Sequence, residues 1–149
     1  MWYNDNVKKE GIRMKRKTVY LDMDGTIADL YGIENWLQRL QSSDETIFKE
    51  AKPIIEEELL YELFPSSLYD IKILSMTPKD CSKEYAENVK KQKDFWLDKF
   101  FPSLKNRIYK EYSYNKNLKN SKNAILIDDN EKIRDNFKGM ALDPMALWG

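Results

Sequence analysis

The chain alternates between short apolar runs and longer stretches whose apolar residues recur every three or four positions. Thr18-Val19-Tyr20-Leu21 is β-branched and aromatic, and Val19–Met23 reads as a first strand. Ile71–Leu74 reads as a second strand ending in Ser75, Arg107–Tyr112 as a weaker third, and Ala124–Ile127 as a fully apolar fourth. Met140–Leu142 suits a last, short strand. Between these the period lengthens. Trp36, Leu37 and Leu40 sit at helical spacing in Asn35–Leu40, and Ser43 or Asp44 can cap a second short helix through Phe48, closed before Pro53. Ile55, Leu59, Leu60 and Leu63 make one apolar face of a helix over Ile54–Phe64, which Pro65 ends. Ser82 is placed to cap a long helix through about Phe100, with Tyr85, Val89, Gln92, Trp96 and Phe100 along one side. Glu131–Phe137 completes the helices, with Gly139 as its C′ residue.

Strands alternating with helices, two of the strands being continuous apolar runs, predict an α/β fold. The expected architecture is a Rossmann-like parallel sheet with helices on both faces. A length of 149 residues fits one domain over residues 18–149. Residues 1–17 read as a basic N-terminal tail, in which Lys8, Lys9, Arg13, Lys15, Arg16 and Lys17 face only Asp5 and Glu10.

Charge and composition narrow the chemistry. Formal net charge is zero, so no global field draws the chain to nucleic acid or a membrane. The sequence lacks an apolar run near twenty residues and has a single cysteine, Cys81, which predicts a soluble, cytoplasmic protein without an intramolecular disulfide. Most informative is the absence of histidine. It removes Ser-His-Asp and Cys-His nucleophile systems and nearly all zinc enzymes. Any catalysis must run on carboxylates, lysine or arginine, hydroxyls and a hard metal.

Ligands of parallel α/β sheets bind beyond the carboxyl ends of the strands. The first strand brings Asp22 and Asp24 there, and the second brings Ser75, with Met76 and Thr77 just after. The loop before the apolar strand brings Lys116, with Lys119 and Lys122 as rivals, and that strand brings Asp128 and Asp129. Four carboxylates side by side repel one another, and a divalent hard cation with oxygen ligands, best Mg2+, relieves that repulsion. Magnesium, a hydroxyl and a lysine around a carboxylate nucleophile describe a phosphoryl-transfer site.

These residues carry a family resemblance. "LDMDGT" resembles the first motif of the haloacid dehalogenase (HAD) superfamily, DxDGT after a strand. "KILS" resembles its second motif, Lys116 its third, and "ILIDD" its fourth, in the family's order from Val19 to Asp129. The resemblance implies a Mg2+-dependent phosphomonoesterase. In it Asp22 would carry an aspartyl-phosphate, and Asp24 would protonate the leaving oxygen and then activate water. Ser75 would bind phosphoryl oxygens, with Thr77 the alternative hydroxyl, and Met76 and Gly25 beside it; Lys116 would neutralise charge. Asp22, the backbone carbonyl of Asp24, and Asp129 would hold the metal with Asp128 next to them, the order within the Asp128-Asp129 pair being open. Gly25 permits the turn that brings Asp24 back over the site, and Thr26 ties that turn through its hydroxyl.

The small 5′-deoxyribonucleotidases of that superfamily have similar wording but a larger cap; here residues 30–54 leave room for a minimal helical cap only. Tyr31 and Trp36 lie where a base could stack over the phosphate, which favours a nucleoside 5′-monophosphate or another small phosphometabolite. A polynucleotide end, a phosphoprotein, or a catalytically silent phosphate-binding module are the alternatives. A receiver domain also joins acids, a hydroxyl and a lysine, but its acidic pair comes early and its lysine last, opposite to the order here. A calcium loop needs its oxygen ligands in a run after a helix.

Overall fold

The computed structural model describes residues 15–149. Most of the basic segment anticipated at the N-terminus lies outside the described residues, and its last member, Lys17, already belongs to the sheet. Five strands, β1 (Lys17–Leu21), β2 (Tyr69–Thr77), β3 (Arg107–Glu111), β4 (Ile125–Ile127) and β5 (Met140–Leu142), pair in the order β3-β2-β1-β4-β5. Every pairing is parallel. Six α-helices connect or follow them among the described residues: α1 (Trp36–Gln41), α2 (Ile47–Glu50), α3 (Glu57–Leu63), α4 (Lys83–Phe100), α5 (Glu131–Asn136) and α6 (Pro144–Trp148).

Alternation along the strands divides the core between the two sheet faces. Val19 and Leu21 of β1 and Ile125 and Ile127 of β4 pack with Leu60 of α3 and Trp96 and Leu97 of α4. Tyr20, Leu74 and Leu126 point the other way and pack with Ile133 and Phe137. Helices therefore cover both faces, as an all-parallel sheet requires. The insertion after β1 has its own small core. Leu30, Ile47 and Phe48 pack on Tyr85 and Val89 of α4, and Trp36 and Leu40 border them.

Several boundaries differ from the sequence reading, each for a tertiary reason. β2 runs from Tyr69 to Thr77 instead of stopping at Ser75, because Tyr69 pairs with Lys17 and Thr77 with Glu111. α3 begins only at Glu57, since Ile54 N–H donates to the Ile27 carbonyl and Pro53 bridges Ala28, which holds the chain extended. The second short helix is Ile47–Glu50 with Thr46 at its N-cap position, and Asp44 instead accepts from the Thr46 N–H (3.0 Å). Gly139 is not the C′ residue of α5, whose C-cap is Phe137. A Cβ at Gly139 would strike the Ser121 and Ala124 carbonyls, so close backbone approach explains this glycine. α6, capped by the Asp143 carboxylate on the Met145 N–H (3.0 Å), has no counterpart in the sequence reading. The Ser82 cap of α4 is as anticipated, with its hydroxyl accepting from Tyr85 N–H at 3.0 Å. Among the described residues, no helix is long and apolar enough to cross a membrane.

Candidate active site

β1 and β4 lie side by side at the centre of the sheet, Leu21 pairing with Ile127. The next residue of each strand is an aspartate, and the Asp22 N–H still donates to the Ile127 carbonyl at 3.0 Å. Continuity of the ladder thus delivers Asp22 and Asp128 to the same edge. Lys116 lies between them, 1% exposed. Its Nζ donates to Asp22 Oδ1 (2.8 Å), Asp128 Oδ2 (2.7 Å) and the Leu74 carbonyl (3.0 Å), using all three protons of the ammonium. Lys119 and Lys122, the rivals in the same loop, are exposed. Local polar bonds hold the loop so that Lys116 turns inward. Lys110 Nζ donates to the Asn115 carbonyl (2.9 Å), and Asn117 N–H to Asn115 Oδ1 (2.8 Å).

The other Asp128 oxygen accepts from Asn130 N–H at 2.9 Å, so both oxygens of this 1% exposed carboxylate are engaged. Asp129 is half-buried. Its N–H donates to Thr26 Oγ1 (3.2 Å), and Thr26 Oγ1 donates to Asp22 Oδ2 (2.9 Å). Thr26 therefore fastens the acid turn across to β4; the turn itself is closed by backbone. Met23 O accepts from the N–H groups of Thr26, Ile27 and Ala28 at 2.9–3.0 Å, and Gly25 N–H donates to Ala28 O at 2.8 Å. Gly25 has φ +84°, and a Cβ there would collide with the Asp129 carboxylate and lie 2.7 Å from Tyr31 Cε2. Two residues absent from the sequence reading support this turn. Trp148 Nε1 donates to Thr26 O (3.1 Å), and Lys93 of α4 donates to Asp24 Oδ2 (2.9 Å).

Lys93 also reaches Ser75 Oγ (2.7 Å) and the Met76 carbonyl (2.6 Å), which brings Ser75 into the same polar network as Asp24. Thr77 does not join that network; its hydroxyl turns to the Lys110 carbonyl of β3 (3.4 Å) while the residue lines a neighbouring cleft. This cleft, of about 370 Å³, is walled by Tyr31, Trp36, Phe48 and Tyr112 and has Asp24 at its edge. Tyr31 and Trp36 meet edge to face, 4.7 Å between centroids. Partial burial first, then the Asp24 and Asp129 carboxylates, push the Tyr31 phenol well above its usual value, so it remains neutral.

The electrostatics are those of a site short of positive charge. Asp22, Asp24, Asp128 and Asp129 face two ammonium groups, Lys93 and Lys116. Burial, followed by the Asp22 charge, raises Asp129 to about 8. The same causes, with Lys116 opposing, raise Asp128 to about 6. Ligand oxygens of Asp22, Asp128 and Asp129 lie within 4.8 Å of one another and could hold a metal ion. An all-carboxylate set suits a hard cation, and two uncompensated negative charges match a divalent one.

A pH dependence follows. The folded, metal-free chain keeps protons on Asp128 and Asp129 where the unfolded chain has released them. These groups therefore make stability fall as pH rises from about 4 to about 8. A bound cation supplies the missing charge and removes that slope. Comparing melting temperatures in Mg2+ and in EDTA should give a larger metal-induced rise near pH 8 than near pH 5. An equal rise at both would show that the cation does not sit on these carboxylates.

No protein-family model matches this chain, and no curated protein matches it either.

Proposed function

We propose that the chain is a Mg2+-dependent phosphomonoester hydrolase of HAD type, working through an aspartyl-phosphate on Asp22. The observation that carries this reading is the convergence of Asp22, Asp24, Lys116, Asp128 and Asp129 on one strand-end edge, with Lys116 clamped on the proposed nucleophile. The Asp22 carboxylate attacks phosphorus and the ester P–O bond breaks. The departing alkoxide takes a proton from the Asp24 carboxyl. Water then attacks the aspartyl-phosphate and gives a proton back to Asp24. The bond between phosphorus and the Asp22 oxygen breaks, releasing inorganic phosphate. Thr26 and Lys116 keep the Asp22 oxygens in place throughout, and Ser75 is the proposed hydroxyl ligand of the phosphoryl group. Asp22, Asp129 and the Asp24 carbonyl, with Asp128 beside them, would hold the divalent cation, which would supply positive charge for the phosphoryl oxygens.

The aromatic cleft beside Asp24 favours a nucleoside 5′-monophosphate. Stacking on Tyr31 and Trp36 is worth roughly 1–3 kcal/mol per base. A polynucleotide end is the second reading: a further open cleft offers the aromatic faces of Tyr31, Trp36 and Tyr114 beside Lys132, with Asp129 and Glu131 in the same wall opposing a polyanion. The cytoplasm is the proposed compartment, where Cys81 stays a free thiol. The test is phosphate release from a panel containing an aryl phosphate, a deoxynucleoside monophosphate, a sugar phosphate and a phosphorylated oligonucleotide. Turnover should require Mg2+, cease in EDTA and be fastest for the mononucleotide. A panel with no Mg2+-dependent release overturns the enzymatic reading; fastest release from the oligonucleotide replaces the substrate class.

A further inference from the structure

Lys93 occupies a position on α4 where the fold asks for an apolar residue. The buried stripe of this helix is Tyr85, Val89, Lys93, Trp96 and Leu97, and Lys93 is 1% exposed with its Nζ 5.1 Å from the centre of the Phe48 ring. Burying an ammonium costs several kcal/mol after relaxation, whereas a methionine would fill the same volume without that cost. The cost is offset only by acceptors, and the three found are Asp24 Oδ2, Ser75 Oγ and Met76 O. Three donors meet three acceptors, so the ammonium has no proton left for a substrate. Two of those acceptors belong to β2, an inner strand between β1 and β3, and the third is the carboxylate of the turn after β1. The Asp24 side chain keeps 21% exposure at the cleft edge. One carboxylate oxygen is thus tied inward to Lys93, while Asp24 as a residue lines the cleft.

We infer that Lys93 is a positioning residue that orients the Asp24 carboxylate toward the leaving group, anchored on Ser75 and the Met76 carbonyl. Phe48 of the insertion closes the apolar side of the ammonium and keeps water from competing for it. The kinetic part of this inference rests on the phosphatase reading; the structural part does not.

The test is Lys93→Met, which removes the charge at nearly constant volume. With an alkyl phosphate, kcat should fall about a hundredfold, the scale expected when a catalytic group is misplaced by about an ångström, with KM nearly unchanged. The melting temperature should hold or rise, because a buried ion is replaced by a packed apolar side chain and Asp24 can be hydrated. Asp24→Asn alone should cost about a hundred- to ten-thousandfold. In that background Lys93→Met should cost no more than about twofold further, the additivity failure of residues acting through one another. A crystal structure of Lys93→Met should show the Asp24 carboxylate moved while Asp22, Lys116 and Asp128 stay together. An equal loss in both backgrounds, or an unmoved Asp24, overturns the inference. If the wild-type chain releases no phosphate, the phosphatase reading alone falls, and the position of Asp24 in the Lys93→Met structure still decides the role of Lys93.

Discussion

Asp22→Asn should abolish turnover while leaving the protein folded. The amide cannot act as a nucleophile, so kcat should fall by roughly four to six orders of magnitude for every ester the wild-type chain hydrolyses. The fold should tolerate the change, because the Asn oxygen can still accept from Lys116, its amide can donate to Thr26 Oγ1, which turns its proton to Asp129, and the substitution removes one charge from a crowded acidic edge. In EDTA its melting temperature should equal or exceed that of the wild type, a separation of activity from stability expected where a site stores repulsion. Steady-state kinetics and thermal melts in EDTA check both halves. Residual activity within about tenfold would mean that another group attacks phosphorus.

Lys116→Met should do the reverse to stability. Lys116 and Lys93 are equally buried, yet their partners are not. The Asp128 side chain is 1% exposed, whereas the Asp24 side chain is 21% exposed. Removing the Lys116 ammonium leaves a buried carboxylate uncompensated, and such a loss costs about 3–5 kcal/mol. Denaturant melts of the metal-free protein well above pH 6, where Asp128 is ionised beside Lys116, should show that loss, and saturating Mg2+ should recover part of it by supplying positive charge to the same carboxylates. A Lys116→Met protein as stable as the wild type in EDTA would mean that the acids are already neutral without the lysine.

The contrast between these two lysines also marks how far the sequence could be read. Asp22, Asp24, Asp128 and Asp129 were legible because apolar strands end abruptly in them, and a parallel sheet brings strand ends to one edge. Lys116 was legible as the preferred one of three lysines in a polar loop; its inward turn depends on hydrogen bonds from Lys110 Nζ and the Asn117 N–H that no spacing encodes. Lys93 was missed because it sits in a run with Lys90 and Lys91 that reads as solvated, and Gln92 was placed on the apolar side in its stead. The signal was present: Lys93 lies four residues after Val89 and three before Trp96, on the buried stripe. A charged residue at a core register position should be read as a buried ion with a partner still to be found. Trp148 escaped for a different reason. Its role depends on the C-terminal helix folding back on a turn 122 residues earlier in the chain, which local pattern does not report. Boundaries erred where tertiary pairing overrode propensity, as in β2, which its neighbours β1 and β3 extend at opposite ends.

In the proposed reaction Asp22 is the nucleophile, the group that becomes bonded to phosphorus. This role is tested most directly by a crystal structure of the wild-type chain grown with Mg2+ and beryllofluoride, a mimic of the phosphoryl group on a carboxylate. Beryllium should be bonded to an Asp22 oxygen, with its fluorides facing Lys116 and the Ser75 hydroxyl and a cation shared by Asp22 and Asp129. Beryllofluoride bonded to any other carboxylate, or a site left empty while the cation is bound, would contradict that role.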